Sequence, residues 1–225
     1  MKEKSSGSKK ISAIKSVPIL QLKITINNTE PQVWRRILVR EDMNLGLLHV
    51  VIQLATGWTN SHLHQYFIAG KQYSDPEFGI GAEFEGDVPT LDENTLTLAD
   101  ITSGGMKSFQ YEYDFGDSWH HTVEIERTEP DGAGFQGYAM CIAGSRACPP
   151  EDCGSTHGFA NLLEVIKNPG NEEYESMMEW LGGKYDPELC DVGKTNRYLQ
   201  KIKRPHVSVD ELAELLKKRD GYRET

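Results

Sequence analysis

The alternation of apolar and polar residues from Ile19 to Ile26 sets the kind of architecture this chain can adopt. Leu20, Leu22, Ile24 and Ile26 fall on one side of an extended segment, and Gln21, Lys23 and Thr25 on the other. A strand with that pattern buries one face and leaves the other in water. Asn27 to Pro31 is rich in turn formers, and Val33 to Val39 then reads as the partner strand of a hairpin. Asn44 is placed to cap a helix whose apolar stripe is Leu47, Leu48, Val51, Ile52 and Ala55, with Gly57 ending it in the left-handed conformation. Leu63 to Ile68 follows as a third strand, closed by Ala69-Gly70. The order strand, strand, helix, strand predicts an α+β fold, a roll-like mixed sheet with the helix packed across it.

Asp75 to Asn94 is Gly-rich and acidic and reads as a long loop, and Thr97 to Ile101 as a short helical turn. Phe109 to Phe115 and Trp119 to Arg127 form a second hairpin around Gly116-Asp117, expected to complete the same sheet. Two helices follow from their spacing: Phe159, Leu162, Leu163 and Ile166 form one stripe, ended by Asn168-Pro169, and Tyr174, Met177, Met178 and Leu181 the other, ended by Gly182-Gly183. Ser208 and Glu211 make a capping box for a last helix with Leu212, Leu215 and Leu216. The Lys- and Ser-rich start cannot bury enough surface to order itself. The organisation expected is a flexible tail over residues 1–17, one domain over 18–200, and a capping helix and tail over 201–225.

A chain of 225 residues can bury a core without covalent staples. Its net charge of −10 argues against duplex nucleic acid bound through the whole surface, leaving room only for a local basic patch. Four cysteines, and no apolar run long enough to span a bilayer, point to a soluble protein of a reducing compartment. The cytoplasm is the expected location, and no membrane partner is expected.

Two dense segments carry the chemistry, Tyr113 to His121 and Ala147 to Gly154. Neither contains a nucleophile elbow, a phosphate loop or paired zinc-finger spacing. Cys141, Cys148 and Cys153 are spaced more loosely than the CxxC knuckles of structural zinc sites. If His121 packs beside their loop, its imidazole and the thiolates can complete a tetrahedral zinc shell; otherwise these cysteines are small buried hydrophobes. His62 and His64, two apart, share a strand face and can point at one metal or phosphate, or simply bond to water and backbone. Asp114, Asp117, Glu151 and Asp152 can act as general acids or bases if a pocket gathers them. Their structural alternative is to bond turns, Asp117 in the hairpin and Asp152 ahead of Gly154. Trp34 and Arg36 can offer an indole and a guanidinium to a ligand; in the alternative, Trp34 is core and Arg35 and Arg36 meet nearby acids.

Four motifs, read in order, resemble the plasmid pRiA4b ORF-3-like family. They are Val33-Trp34-Arg35-Arg36-Ile37; Thr56-Gly57-Trp58 with Ser61-His62-Leu63-His64; Tyr113-Asp114-Phe115-Gly116-Asp117-Ser118-Trp119; and Ala147-Cys148-Pro149-Pro150-Glu151-Asp152-Cys153-Gly154. The resemblance covers roughly Ile19 to Asp191. It implies a roll-like α+β domain found mainly in prokaryotes and, in some members, association with plasmids or insertion elements as a passenger protein. It implies no established activity.

Two functional classes follow. One is a non-catalytic binding or adaptor module of a mobile-element accessory protein, taking a protein or peptide partner through Trp34, Arg36, His62, His64, Asp117, Glu151 and Asp152. The other is a metal-assisted hydrolase or nuclease using His62, His64, His121 and the nearby carboxylates. Trp58 and Trp119 are expected to be buried. The segment from Cys141 to Gly154 is expected to fold against the hairpin bearing His121, with Cys148 as its neighbour.

Overall fold

The computed structural model describes residues 17–78, 89–129, 135 and 137–203. β1 (Ile19–Ile26) pairs antiparallel with β2 (Val33–Arg40), from Ile26 opposite Val33 to Ile19 opposite Arg40. α1 (Leu45–Thr56) follows as the pattern predicts: the Asn44 side chain accepts the Leu47 N–H, and Gly57 ends the helix at φ 95°. Then come β3 (His64–Ile68), β4 (Lys71–Ser74), β5 (Thr90–Asp92) and α2 (Leu98–Ser103), whose start carries a Thr97–Asp100 capping box. β6 (Ser108–Tyr113), β7 (Trp119–Glu129) and β8 (Ala139–Ser145) precede α3 (Ser155–Lys167), α4 (Tyr174–Trp180) and α5 (Val192–Leu199).

The eight strands among the described residues form one mixed sheet in the order β5-β4-β3-β6-β7-β1-β2-β8. The β4–β5 pair is parallel and the others antiparallel. The two hairpins therefore share a sheet, because β7 lies against β1. α1 supplies Leu45, Leu47, Leu48, Val51 and Ile52 to one core with Leu20, Leu22, Ile24, Ile37 and Val123. Trp58 and Trp119 are 2% and 1% exposed, and their rings lie 6.0 Å apart.

The structure departs from the periodicity reading at several elements. β4 and β5 are too short to show a period: β5 falls inside the segment read as a loop, and β4 lies just ahead of it in residues given no element. β8 is an edge strand of small and mixed residues, held by α5 rather than marked by alternation. The β6–β7 connection is a five-residue turn, not a two-residue one, because Asp114 and Ser118 both take φ near +55° (59° and 51°). Asp114 Oδ1 accepts the N–H groups of Gly116 (2.9 Å) and Asp117 (3.2 Å), which stabilises that longer turn. Trp34 is also a correction: it lies half-buried on the open face of the sheet, not in the core. No residue of α4 is buried, although Met177 packs partly against the core. Residues 1–16 of the expected tail over 1–17, and the helix from Ser208 to Leu216, lie outside the described residues. No described helix is long and apolar enough to cross a membrane.

Candidate functional site

The loop between α1 and β3, the β6–β7 turn and the segment from Cys148 to Gly154 meet at one end of the sheet. Trp58 fastens them: its indole N–H donates to the Pro149 carbonyl at 2.9 Å, and its ring stacks on Tyr113 at 4.9 Å. Glu151 reinforces the join by accepting the Thr59 N–H at 3.1 Å, the Thr59 hydroxyl and the Tyr113 hydroxyl. Burial and the neighbouring Glu151 carboxylate together hold the Tyr113 phenol far above its usual range. Asp117 Oδ2 accepts the Gly154 N–H at 3.1 Å, so the hairpin turn and the cysteine segment are tied directly. Asp117 and Glu151 thus have structural partners here.

These contacts leave a cleft of about 340 Å³ lined by Asn60, Ser61, His62, Leu63, Asp114 and Phe115. Two of the eight described non-glycine residues with positive φ, Asn60 and Asp114, line it, and three more, Ser118, Asp152 and Ser155, lie in or just after the segments that meet there. Such backbone is costly for L-residues, and its concentration here marks a surface shaped by tertiary contacts. At the cleft, His62 Nε2 lies 3.1 Å from Asp152 Oδ1 and 3.7 Å from Asp114 Oδ2. Asp114 is 5% exposed, whereas Asp152 projects into solvent.

His62 and His64 do not face one ligand. β3 begins only at His64, after Asn60 has turned the chain at φ 59°, so the strand alternation does not extend back to His62. His64 points inward instead, stacked on His49 with ring centroids 3.5 Å apart and bonded through Nε2 to Glu93 at 2.7 Å. His49 joins Tyr111 (2.8 Å) and Asn60 (2.7 Å). Burial drives both imidazoles well below their usual pKa and raises Glu93 to about 7, so the cluster favours neutral groups. This network was not anticipated. The available signal was His49 and Gln53, two polar residues on a helix otherwise lined with apolar ones, both of them buried.

Cys141 and Cys148 are buried, Cys153 half-buried, and all are free thiols. Among the described residues, their sulfurs and the His121 nitrogens join no set of three or more donors within 4.8 Å of one another. The segment does fold back toward the hairpin, but the Trp58 ring packs edge-on against His121 at 5.4 Å while its N–H reaches Pro149. The indole thus packs against His121 on one side and reaches the residue after Cys148 on the other. His121 Nδ1 donates to the Trp119 carbonyl at 2.8 Å, and burial lowers its pKa to about 4. Burial likewise pushes the Cys141 and Cys153 thiols up to about 11 and about 12, which lowers their reactivity.

On the open face of the sheet, Trp34 lies beneath the Arg36 guanidinium at 5.0 Å and the Lys23 ammonium at 5.9 Å. Arg36 makes a bidentate pair with Glu126 at 2.6 and 2.7 Å, which holds the carboxyl down at about 2. Among the described residues Arg35 meets no acid: it points inward and donates to the carbonyls of Ala55, Trp34 and Ser145. Its cation sits at the carbonyl end of α1, where a positive charge is favoured.

The model of plasmid pRiA4b ORF-3-like proteins matches residues 18–194 of this chain. The chain belongs to this family. It is 37% identical over 180 residues to the uncharacterized protein y4hQ of Sinorhizobium fredii, a match covering 80% of this chain and 89% of that protein. It also resembles the crystal structure of MM3350, a protein of unknown function from Methanosarcina mazei Go1, with 35% identity and a TM-score of 0.69. That match covers 79% of this chain and 97% of the other. Family membership accounts for the mixed sheet and places the cleft, the Trp34 face and the buried histidines all within the matched region.

Proposed function

We propose that this family member is a non-catalytic binding module that takes a protein or peptide partner on the open face of its sheet. The observation that carries the reading is the composition around Trp34. Leu38 is opposite Met140 in the β2–β8 pairing, and Met140 and Ile142 are 36% and 39% exposed beside the Trp34–Arg36 stack. Aromatic, Met and Arg side chains are the types that concentrate at the centres of protein interfaces. Around this centre Gln21, Lys23, Glu124 and Glu126 offer a polar, charge-balanced rim. A net charge of −10 and local cations already matched by acids favour a protein over a nucleic acid. The hydrolase reading has weaker support, since His64 and His121, at 3% and 0% exposure, cannot reach a substrate. Association with a mobile element remains part of the proposal through the family resemblance alone.

The test is site-specific photo-crosslinking of the full chain in the cells that produce it, with the crosslinker at Met140 and, as a control, at the exposed Lys167 of α3. One protein should be trapped from Met140, not from Lys167, and Trp34→Ala should abolish the adduct. Nucleic acid trapped from Met140, or an adduct indifferent to Trp34→Ala, overturns the reading.

A further inference from the structure

We propose that His62 Nε2 and one carboxylate oxygen each from Asp114 and Asp152 hold a divalent first-row transition-metal ion at the mouth of the cleft. This goes beyond the partner-binding reading and does not rest on it. Among the described residues, these three donor atoms are the set that lies within 4.8 Å of one another.

The neighbouring groups leave these atoms uncommitted. His62 Nε2 is shielded from solvent and makes no hydrogen bond, although carboxylate oxygens stand at 3.1 and 3.7 Å. A buried ring nitrogen facing two acids without bonding either is an orphan that calls for a partner. Asp114 is committed through Oδ1 to the turn amides of Gly116 and Asp117, which fixes the carboxylate and leaves Oδ2 toward the histidine. Such backbone bonding is the support that orients a ligating carboxylate. Other nearby acids are spoken for: Asp117 by the Gly154 amide, and Glu151 by Thr59 and Tyr113.

Distance and charge agree with an ion. Donors about 2.1 Å from a metal lie roughly 3.0 to 3.4 Å apart in octahedral or tetrahedral shells, so the 3.1 and 3.7 Å separations from His62 need little adjustment. Two carboxylates match a dication, and the imidazole favours Zn²⁺, Mn²⁺ or Fe²⁺ over Mg²⁺ or Ca²⁺, which take all-oxygen sets. Asp152 faces solvent, so the remaining coordination positions open to water and to a ligand in the cleft.

The experiment is calorimetric titration of the full chain, stripped with EDTA, with zinc sulfate, in parallel with His62→Gln, Asp152→Asn and Cys148→Ser. The Asp152 side chain is 70% exposed, so Asp152→Asn should fold, and circular dichroism will verify this for each variant. One zinc ion per chain is expected, bound about tenfold or more weakly by His62→Gln and Asp152→Asn and unchanged in Cys148→Ser. Absence of stoichiometric binding by the wild type overturns the proposal. So does binding that survives both ligand substitutions, or that is lost only in Cys148→Ser.

Discussion

Asn196 does for Cys141 what a neighbouring strand would do: its Oδ1 accepts the Cys141 N–H and its Nδ2 donates to the Cys141 carbonyl, both at 2.8 Å. β8 is the edge of the sheet, and an edge exposes unpaired backbone groups that invite association with other chains. Carried on α5, this one amide closes the edge where Cys141 is buried.

Asn196→Ala should therefore leave two backbone groups without partners and cost about 1 to 3 kcal/mol. Urea denaturation measures it. Asn196→Asp should be no better, because a carboxylate cannot donate to the Cys141 carbonyl. A midpoint equal to wild type in both variants would show that water replaces the amide without loss.

Gly158 lies in the first turn of α3 and admits no side chain. A Cβ built there meets the Cys153 carbonyl oxygen at 1.8 Å. Backbone cannot yield as a flexible side chain can, so Gly158→Ala should destabilise by about 3 kcal/mol or more, or shift the start of α3. Chemical denaturation, supported by proteolysis within residues 150–158, tests this; wild-type stability would refute the close approach.

Trp58 combines burial with a hydrogen bond from its indole N–H to the Pro149 carbonyl. Trp58→Ala should cost about 3 to 5 kcal/mol by emptying a core site. Trp58→Phe keeps most of the ring but strands the Pro149 carbonyl, for a smaller loss of about 1 to 3 kcal/mol. Equal losses in the two variants would mean the N–H bond contributes nothing beyond packing.

Acid should destabilise the fold through buried imidazoles. Burial lowers His49 from 6.5 to about 3 and His121 from 6.5 to about 4, so the unfolded chain takes up protons first as pH falls. Their stabilisation is complete above 6.5 and is lost progressively as pH drops toward 4. Glu93 acts in the opposite sense: raised from 4.5 to about 7, it stabilises the folded chain as pH falls through that interval. His64 is lowered by burial in the same way, so three imidazoles stand against one carboxyl and unfolding takes up protons at about pH 5. Urea midpoints in EDTA should fall between about pH 6 and about pH 5. A flat or rising midpoint would contradict the burial of these rings as neutral species.

Local chemistry was legible residue by residue. The alternation in Ile19 to Ile26, the Asn44 cap, the Gly57 terminator and the Thr97 turn each act through neighbours a few positions away, so β1, α1 and the start of α2 could be read directly. The four motifs also placed the chain in its family and drew attention to the segments that meet at the cleft. What the linear order did not contain was which side chain each segment would turn toward. His62 and His64 looked like a pair at strand spacing, but the left-handed turn at Asn60 delays β3 until His64 and sends one ring outward and the other into the core. Whether Cys148 and His121 approach one another could not be read from the sequence, and it is Trp58, distant from both, that packs against His121 and bonds Pro149. The set His62, Asp114 and Asp152 and the cluster His49, His64 and Glu93 arise from separate loops and elements brought into register by the sheet. Periodicity reports the faces of single elements; only packing among elements decides which polar atoms are left facing one another.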